Sequence, residues 1–111
     1  MNFSGTVIRG DGYGRKLGYP TANIEVDASS GIYAGRVMFA GKTYQAAVFV
    51  TARRPHILEA HLLDFDGDMY DKTITVTLEK KIREDAQFKN EDELIAAIVR
   101  DAQVVRDYFK P

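Results

Sequence analysis

The chain has 111 residues, 45% of them hydrophobic and 28% charged, with a formal net charge of −1. This is ordinary globular composition, and the length predicts one domain over residues 1–111 with a core that needs no staples. The absence of cysteine excludes disulfides, thiolate metal sites and cysteine nucleophiles, and the lack of a basic excess argues against nucleic acid as a partner. No apolar run is long enough for a membrane helix and MNFSGTVIRGDG lacks the apolar core of a signal peptide, so the expectation is a cytoplasmic chain with no membrane partner.

In chain order, residues 3–9 (FSGTVIR) read as a first strand. A loop rich in glycine follows, and residues 22–26 (ANIEV) continue out of it as a second strand. DASSG is a turn. IYAGRVMFA (32–40) and TYQAAVFVT (43–51) form a hairpin about Gly41-Lys42. ILEAHLLDF (57–65) is a further strand, turned by Asp66-Gly67-Asp68. DKTITVTLE (71–79) alternates most cleanly, with Ile74, Val76 and Leu78 on one face and Thr73, Thr75 and Thr77 on the other. The period then changes. Asn90 is an N-cap, Glu93 makes something close to a capping box, and Glu91, Asp92 and Glu93 sit at the positive end of the dipole. Leu94, Ile95, Ile98, Ala102, Val105 and Phe109 then draw the apolar stripe of one amphipathic helix. Short strands joined by turns, followed by one helix, predict a mainly β protein: a small six-stranded antiparallel barrel with a single C-terminal α-helix.

Several motif matches fail on spacing. GRVMFAGKT places five residues between Gly35 and Gly41 where a P-loop has four, and no helix follows. The glycines at 10, 12, 14 and 18 do not follow the dinucleotide pattern and open no βαβ unit. DFDGDMYD has its glycine too early for a calcium loop and Thr75 where the bidentate glutamate belongs. Glu59 and His61 share a strand face, but no third metal ligand is near, so a histidine packed or hydrogen-bonded on the barrel is the better reading. Glu59, a carboxylate within the apolar run HILEAHLL, is either paired to a cation or a general base; the residues alone favour the structural role.

The stretch GDGYGRKLGYPTAN (10–23) carries the most chemistry. Its glycines let backbone N–H groups form an anion nest, Arg15 and Lys16 add charge-assisted contacts to phosphate, and Pro20 stiffens the exit. Thr21 and Asn23 then project neutral oxygens from one strand face, which suits a magnesium ion whose nucleotide phosphates supply the charge. The alternative is a glycine turn with solvated cations. The residues leave both open.

GYGRKLGYPTAN closely resembles the G-x-G-R-x-L-G-[FY]-P-T-A-N signature of the riboflavin kinase (flavokinase) family. GTVIRG, GIYAGRV, GKTYQAAV, LEAHLLDFDGDMYDKTITV and KKIREDAQFKNEDELIAAIVRDAQVVRDYF resemble the family's further motifs in the same order along nearly the whole chain. The resemblance implies a riboflavin kinase-like Greek-key barrel and transfer of the ATP γ-phosphoryl group to the riboflavin 5′-hydroxyl, giving FMN and ADP. It implies that Gly12, Gly14, Arg15, Lys16, Gly18 and Pro20 cover the ATP phosphates, with Thr21 and Asn23 holding Mg2+ and phosphate. It makes Glu59 the catalytic base, reversing the preference from the residues alone, and places flavin against Arg83 and Phe88 near the helix start. A monomer with riboflavin and ATP as its small-molecule substrates is expected. In bacteria such a domain usually follows an adenylyltransferase; nothing here supplies one, so a free-standing kinase or an excised domain is expected, without FMN adenylylation.

The chain departs from the family pattern at 48–56. Phe49 stands where the family has Asn, Thr51 where it has Gly and His56 where it has Thr; the connection to Glu59 is shortened, and Asp71 follows Tyr70 in place of Gly. These changes support a second reading, a flavin- or nucleotide-binding barrel with impaired transfer, and a third, a kinase with an altered donor or acceptor.

Overall fold

The computed structural model describes residues 2–7, 21–52, 56–64, 72–84 and 88–111. Six strands form one antiparallel sheet: β1 (Asn2–Thr6), β2 (Thr21–Glu25), β3 (Gly31–Phe39), β4 (Lys42–Val50), β5 (Ile57–Leu62) and β6 (Thr73–Arg83), in the order β1-β6-β3-β4-β5-β2. A single helix, α1 (Glu91–Phe109), follows. The expected six-stranded barrel with a C-terminal helix is therefore found, with strand ends moved by one to a few residues; β6 runs on to Arg83, four residues past its expected end at Glu79.

The sheet curls until its edge strands meet. Gly5 of β1 lies so close to Ile24 of β2 that an added Cβ would stand 3.2 Å from the Ile24 Cβ. A residue without a side chain is what lets the two edges approach, and the resulting near closure covers backbone that would otherwise template aggregation. The β3–β4 hairpin turns through Ala40 (φ 53°) and Gly41 (φ 77°), with Phe39 paired to Lys42. Two consecutive left-handed residues match the right-handed twist of the strands, and glycine takes the second at no steric cost.

Alternation along the strands sorts side chains to two faces. Inward go Ile24, Val37, Ala46, Val48, Val50, Leu58, Ala60, Leu62, Ile74 and Val76, which form the barrel core with Val7. The clean Ile74/Val76/Leu78 alternation of β6 thus points where the sequence predicts. Outward go Ala34 and Ala47, a directly paired couple on β3 and β4. Their small side chains make a floor on which α1 seats Ala102 and Val105, with Leu63, Phe49, Ile82 and Phe109 around them.

Helix α1 begins as expected. The Asn90 side chain accepts from the Glu93 N–H at 2.9 Å, and three acids fill the first turn. The reciprocal bond differs from a strict capping box: Glu93 reaches one residue further back, accepting from the Lys89 N–H at 3.1 Å. The expected stripe is buried at Ile98, Ala102 and Val105 and half-buried at Leu94, Ile95 and Phe109. At its far end the helix is held by Arg36 of β3, which pairs with Glu79 and lays its guanidinium 4.9 Å from the Phe109 ring centre. No described helix is long and apolar enough to cross a membrane.

Candidate functional site

The site grows out of two rows of paired residues on the outer face. In one row, Asn23 of β2 faces Glu59 of β5, Glu59 faces Phe49 of β4, Phe49 faces Ile32 of β3, and Ile32 faces Arg83 of β6. In the next, His61 faces Ala47. Directly opposed residues of an antiparallel pair put their side chains on the same face, some 5 Å apart. Two residues far apart in sequence, Asn23 and Glu59, are neighbours here because β2 stands at the end of the strand order and pairs with β5.

Asn23 is buried, at 3% exposure. Among the described residues no lysine or arginine pairs with Glu59. Its Oε1 takes a 2.7 Å contact from His61 Nε2, while the side chain stays 22% exposed. His61 is itself buried, packed against Phe49 with ring centroids 4.6 Å apart at 45°. The expected histidine hydrogen-bonded on the barrel face is therefore found, and among the described residues no group of three acidic or histidine side chains could hold a metal on its own. Phe49, the departure from the family pattern, does not point into the barrel; it shares the outer face with Glu59 and forms a wall of the site.

At the other end of the first row, β6 is irregular. Its pairing with β3 shifts between Ile32 and Tyr33 and again between Ala34 and Gly35. Bulges of this kind bend a strand and re-aim its side chains. Here they bring Arg83 to the helix. Its Nε donates to Asp101 Oδ1 at 3.0 Å and its Nη2 to Asp101 Oδ2 at 2.7 Å, a fork-on-fork pair. Asp101 is 3% exposed, and the guanidinium also lies 5.9 Å from the ring centre of Phe88, which is itself exposed. Arg83 and Phe88 thus lie near each other, and Arg83 is anchored to the middle of α1. The sequence analysis does not single out Asp101; an acid directly before the stripe residue Ala102 is the signal that marks it.

Thr21 lies at the head of β2, two residues from Asn23, in register with His61. Gly12, Gly14, Arg15, Lys16, Gly18 and Pro20 lie outside the described residues. A hollow of about 210 Å³ among Ser29, Tyr33, Leu78 and Lys81 contains none of the site residues and is smaller than the roughly 300 Å³ at which small-molecule pockets begin.

A near-closed six-stranded barrel with one covering helix carries an amide and a carboxylate side by side on its outer face. The family model for riboflavin kinase matches residues 1–109, and the chain belongs to the riboflavin kinase family. It is 40% identical, over 96% of its own length, to a bifunctional riboflavin kinase/FMN adenylyltransferase of Escherichia coli strain K12, covering 37% of that protein. Over all of its length it is 33% identical to a protein of the same name from Pseudomonas fluorescens, covering 39% of it. The chain thus spans well under half the length of these curated relatives. Among solved structures it resembles riboflavin kinase from Trypanosoma brucei (TM-score 0.67, 23% identity, 96% of this chain and 78% of that one), a likeness of fold. It also resembles a chain described as a macrolide-efflux protein from Streptococcus pneumoniae (TM-score 0.79, 29% identity, 95% of this chain and 38% of that one).

Proposed function

We propose that the chain transfers the γ-phosphoryl group of ATP to the 5′-hydroxyl of riboflavin, releasing FMN and ADP. The observation that carries this reading is the register pair Asn23–Glu59. It sets a neutral oxygen ligand beside a partly open carboxylate on the face that also carries Arg83 and Phe88. Family membership and the names of the relatives support the substrates.

In this reading the glycine loop, Gly12, Gly14, Arg15, Lys16, Gly18 and Pro20, covers the nucleotide phosphates. The donor set at the head of β2 fits a hard cation: an amide oxygen at Asn23 directly opposite a carboxylate, with Thr21 two residues away. Thr21 and Asn23 would hold Mg2+. When bound with ATP, magnesium neutralises charge on the transferring phosphoryl group. Glu59 accepts the proton of the 5′-hydroxyl as that oxygen bonds to the γ-phosphorus and the bond to the ADP oxygen breaks. Arg83 and Phe88 sit along the flavin, with Arg83 fixed by Asp101. A monomeric, cytoplasmic enzyme completes the proposal.

The test is to incubate the chain with riboflavin, ATP and magnesium and separate FMN from riboflavin by chromatography. FMN should form, and Glu59→Gln should lower kcat by roughly 100- to 10,000-fold, the usual range for losing a general base. Asn23→Ala should slow turnover and raise the magnesium concentration needed. No FMN from the wild type, or full turnover in Glu59→Gln, would overturn the reading; bound flavin without turnover would favour the binding module instead.

A further inference from the structure

His61 is an unusual residue to bury. The residue is 2% exposed, yet its Nδ1 is buried with no hydrogen-bond partner among the described residues. An unsatisfied polar atom in the interior costs stability that an aliphatic side chain would not. The ring's other nitrogen makes one contact, Nε2 to Glu59 Oε1 at 2.7 Å. A carboxylate only accepts, so the proton of that bond sits on Nε2 whichever charge the ring carries. Phe49 closes against the ring at 4.6 Å, which limits its rotation. Alternation along β5 puts positions 59 and 61 on one face, and the register with Phe49 supplies the wall.

We propose that His61 is a positioning residue for phosphoryl transfer: by donating Nε2–H to Oε1 it fixes the Glu59 carboxylate so that Oε2 meets the acceptor hydroxyl. This rests on the proposed role of Glu59. The hydroxyl proton goes to Oε2, the new oxygen–phosphorus bond forms as the bond to ADP breaks, and His61 keeps its own proton throughout. A held carboxylate oxygen replaces a freely rotating one, and orientation of this kind governs the rate of a transfer that has little covalent chemistry for the protein to do. Phe49, the residue that departs from the family pattern, serves the same end by holding the imidazole.

The experiment compares His61→Gln with His61→Met, side chains of similar length of which only glutamine can donate from the Nε2 position. His61→Met should lower kcat by roughly 10- to 100-fold, while KM for riboflavin and for ATP changes little. His61→Gln should recover most of that loss. In a Glu59→Gln background, His61→Met should cost nothing more, since there is no base left to orient. Equal kcat in the two His61 variants, or additive losses in the double variant, would overturn the proposal. Should either variant fail to give a cooperative melt, nitrogen-15 spectra of the wild-type chain decide: the His61 proton is expected on Nε2, with its resonance displaced in Glu59→Gln, and a proton on Nδ1 alone overturns the assignment. Full turnover in Glu59→Gln, or no FMN from the wild type, removes the proposed function and this role with it. An impaired Glu59→Gln beside an unimpaired His61→Met removes this role alone.

Discussion

Replacing Arg83 should destabilise the fold more than replacing its partner. The two side chains share a bidentate pair, but unequally: the Arg83 side chain keeps 30% of its surface in solvent and Asp101 only 4%. Asp101→Ala removes the buried member. Arg83 then loses two charge-assisted bonds, retains its bond to the Glu84 carbonyl and hydrates the remainder. Each bond to a charged group contributes about 1.5–3 kcal/mol at most, and rehydration returns part of it, so the net cost is about 2 kcal/mol. Arg83→Met strands the carboxylate inside with its principal cation gone, and removal of one member of a buried pair costs about 3–5 kcal/mol. For a chain of this size 1 kcal/mol is worth about 4 °C, so the melting temperatures should fall by about 8 °C and about 12–20 °C. Arg83→Met/Asp101→Leu, which leaves no charge behind, should return to within about 1 kcal/mol of the wild type. Urea unfolding followed by circular dichroism, without ligand, reads all three. If Asp101→Ala proves as costly as Arg83→Met, the asymmetry argument is wrong and the pair is held by something other than the burial of its acid.

Gly35→Ala should cost about 1–3 kcal/mol, because its Cβ would stand 2.6 Å from the Thr77 carbonyl oxygen and 3.0 Å from Val48 Cγ2; the urea midpoint checks it. Asn90→Ala should lose about 1 kcal/mol through the vacated Glu93 N–H, with no change in the denaturant slope. Lys110 first, and Gln103 with it, hold the Asp107 carboxyl below its ordinary value of 3.8. That depression stabilises the fold above pH 3.8 and the contribution is lost as pH falls through the folded value; an NMR titration of the Asp107 carboxyl should show a midpoint below 3.8, and Lys110→Ala should move it upward.

Much of the fold is legible in local pattern. The alternation at Ile74, Val76 and Leu78 predicts which face of β6 is inside, because a strand repeats every two residues. The Asn90–Glu93 cap and the stripe through Ile98, Ala102 and Val105 place α1, because a helix leaves its first N–H groups needing an acceptor and repeats every 3.6 residues. The individual site residues are legible only in part. Glu59 reads as anomalous in HILEAHLL, yet local pattern favours a cation partner for it. Its observed contact is His61, two residues away, a bond that strand geometry permits but does not require.

What the sequence by itself determined is therefore the set of elements, the apolar faces of β6 and α1, and the family whose motifs they carry, since all of these follow from residue types at short spacing. The tertiary structure alone decided that Asn23 stands opposite Glu59, that Phe49 lies against His61, and that Arg83 reaches Asp101 across eighteen residues of sequence. Those meetings depend on strand order, on the closeness of β1 and β2 at Gly5, and on two bulges in β6. Each is a relation between segments set by the packing of the whole barrel, and such relations leave no periodic trace in the chain.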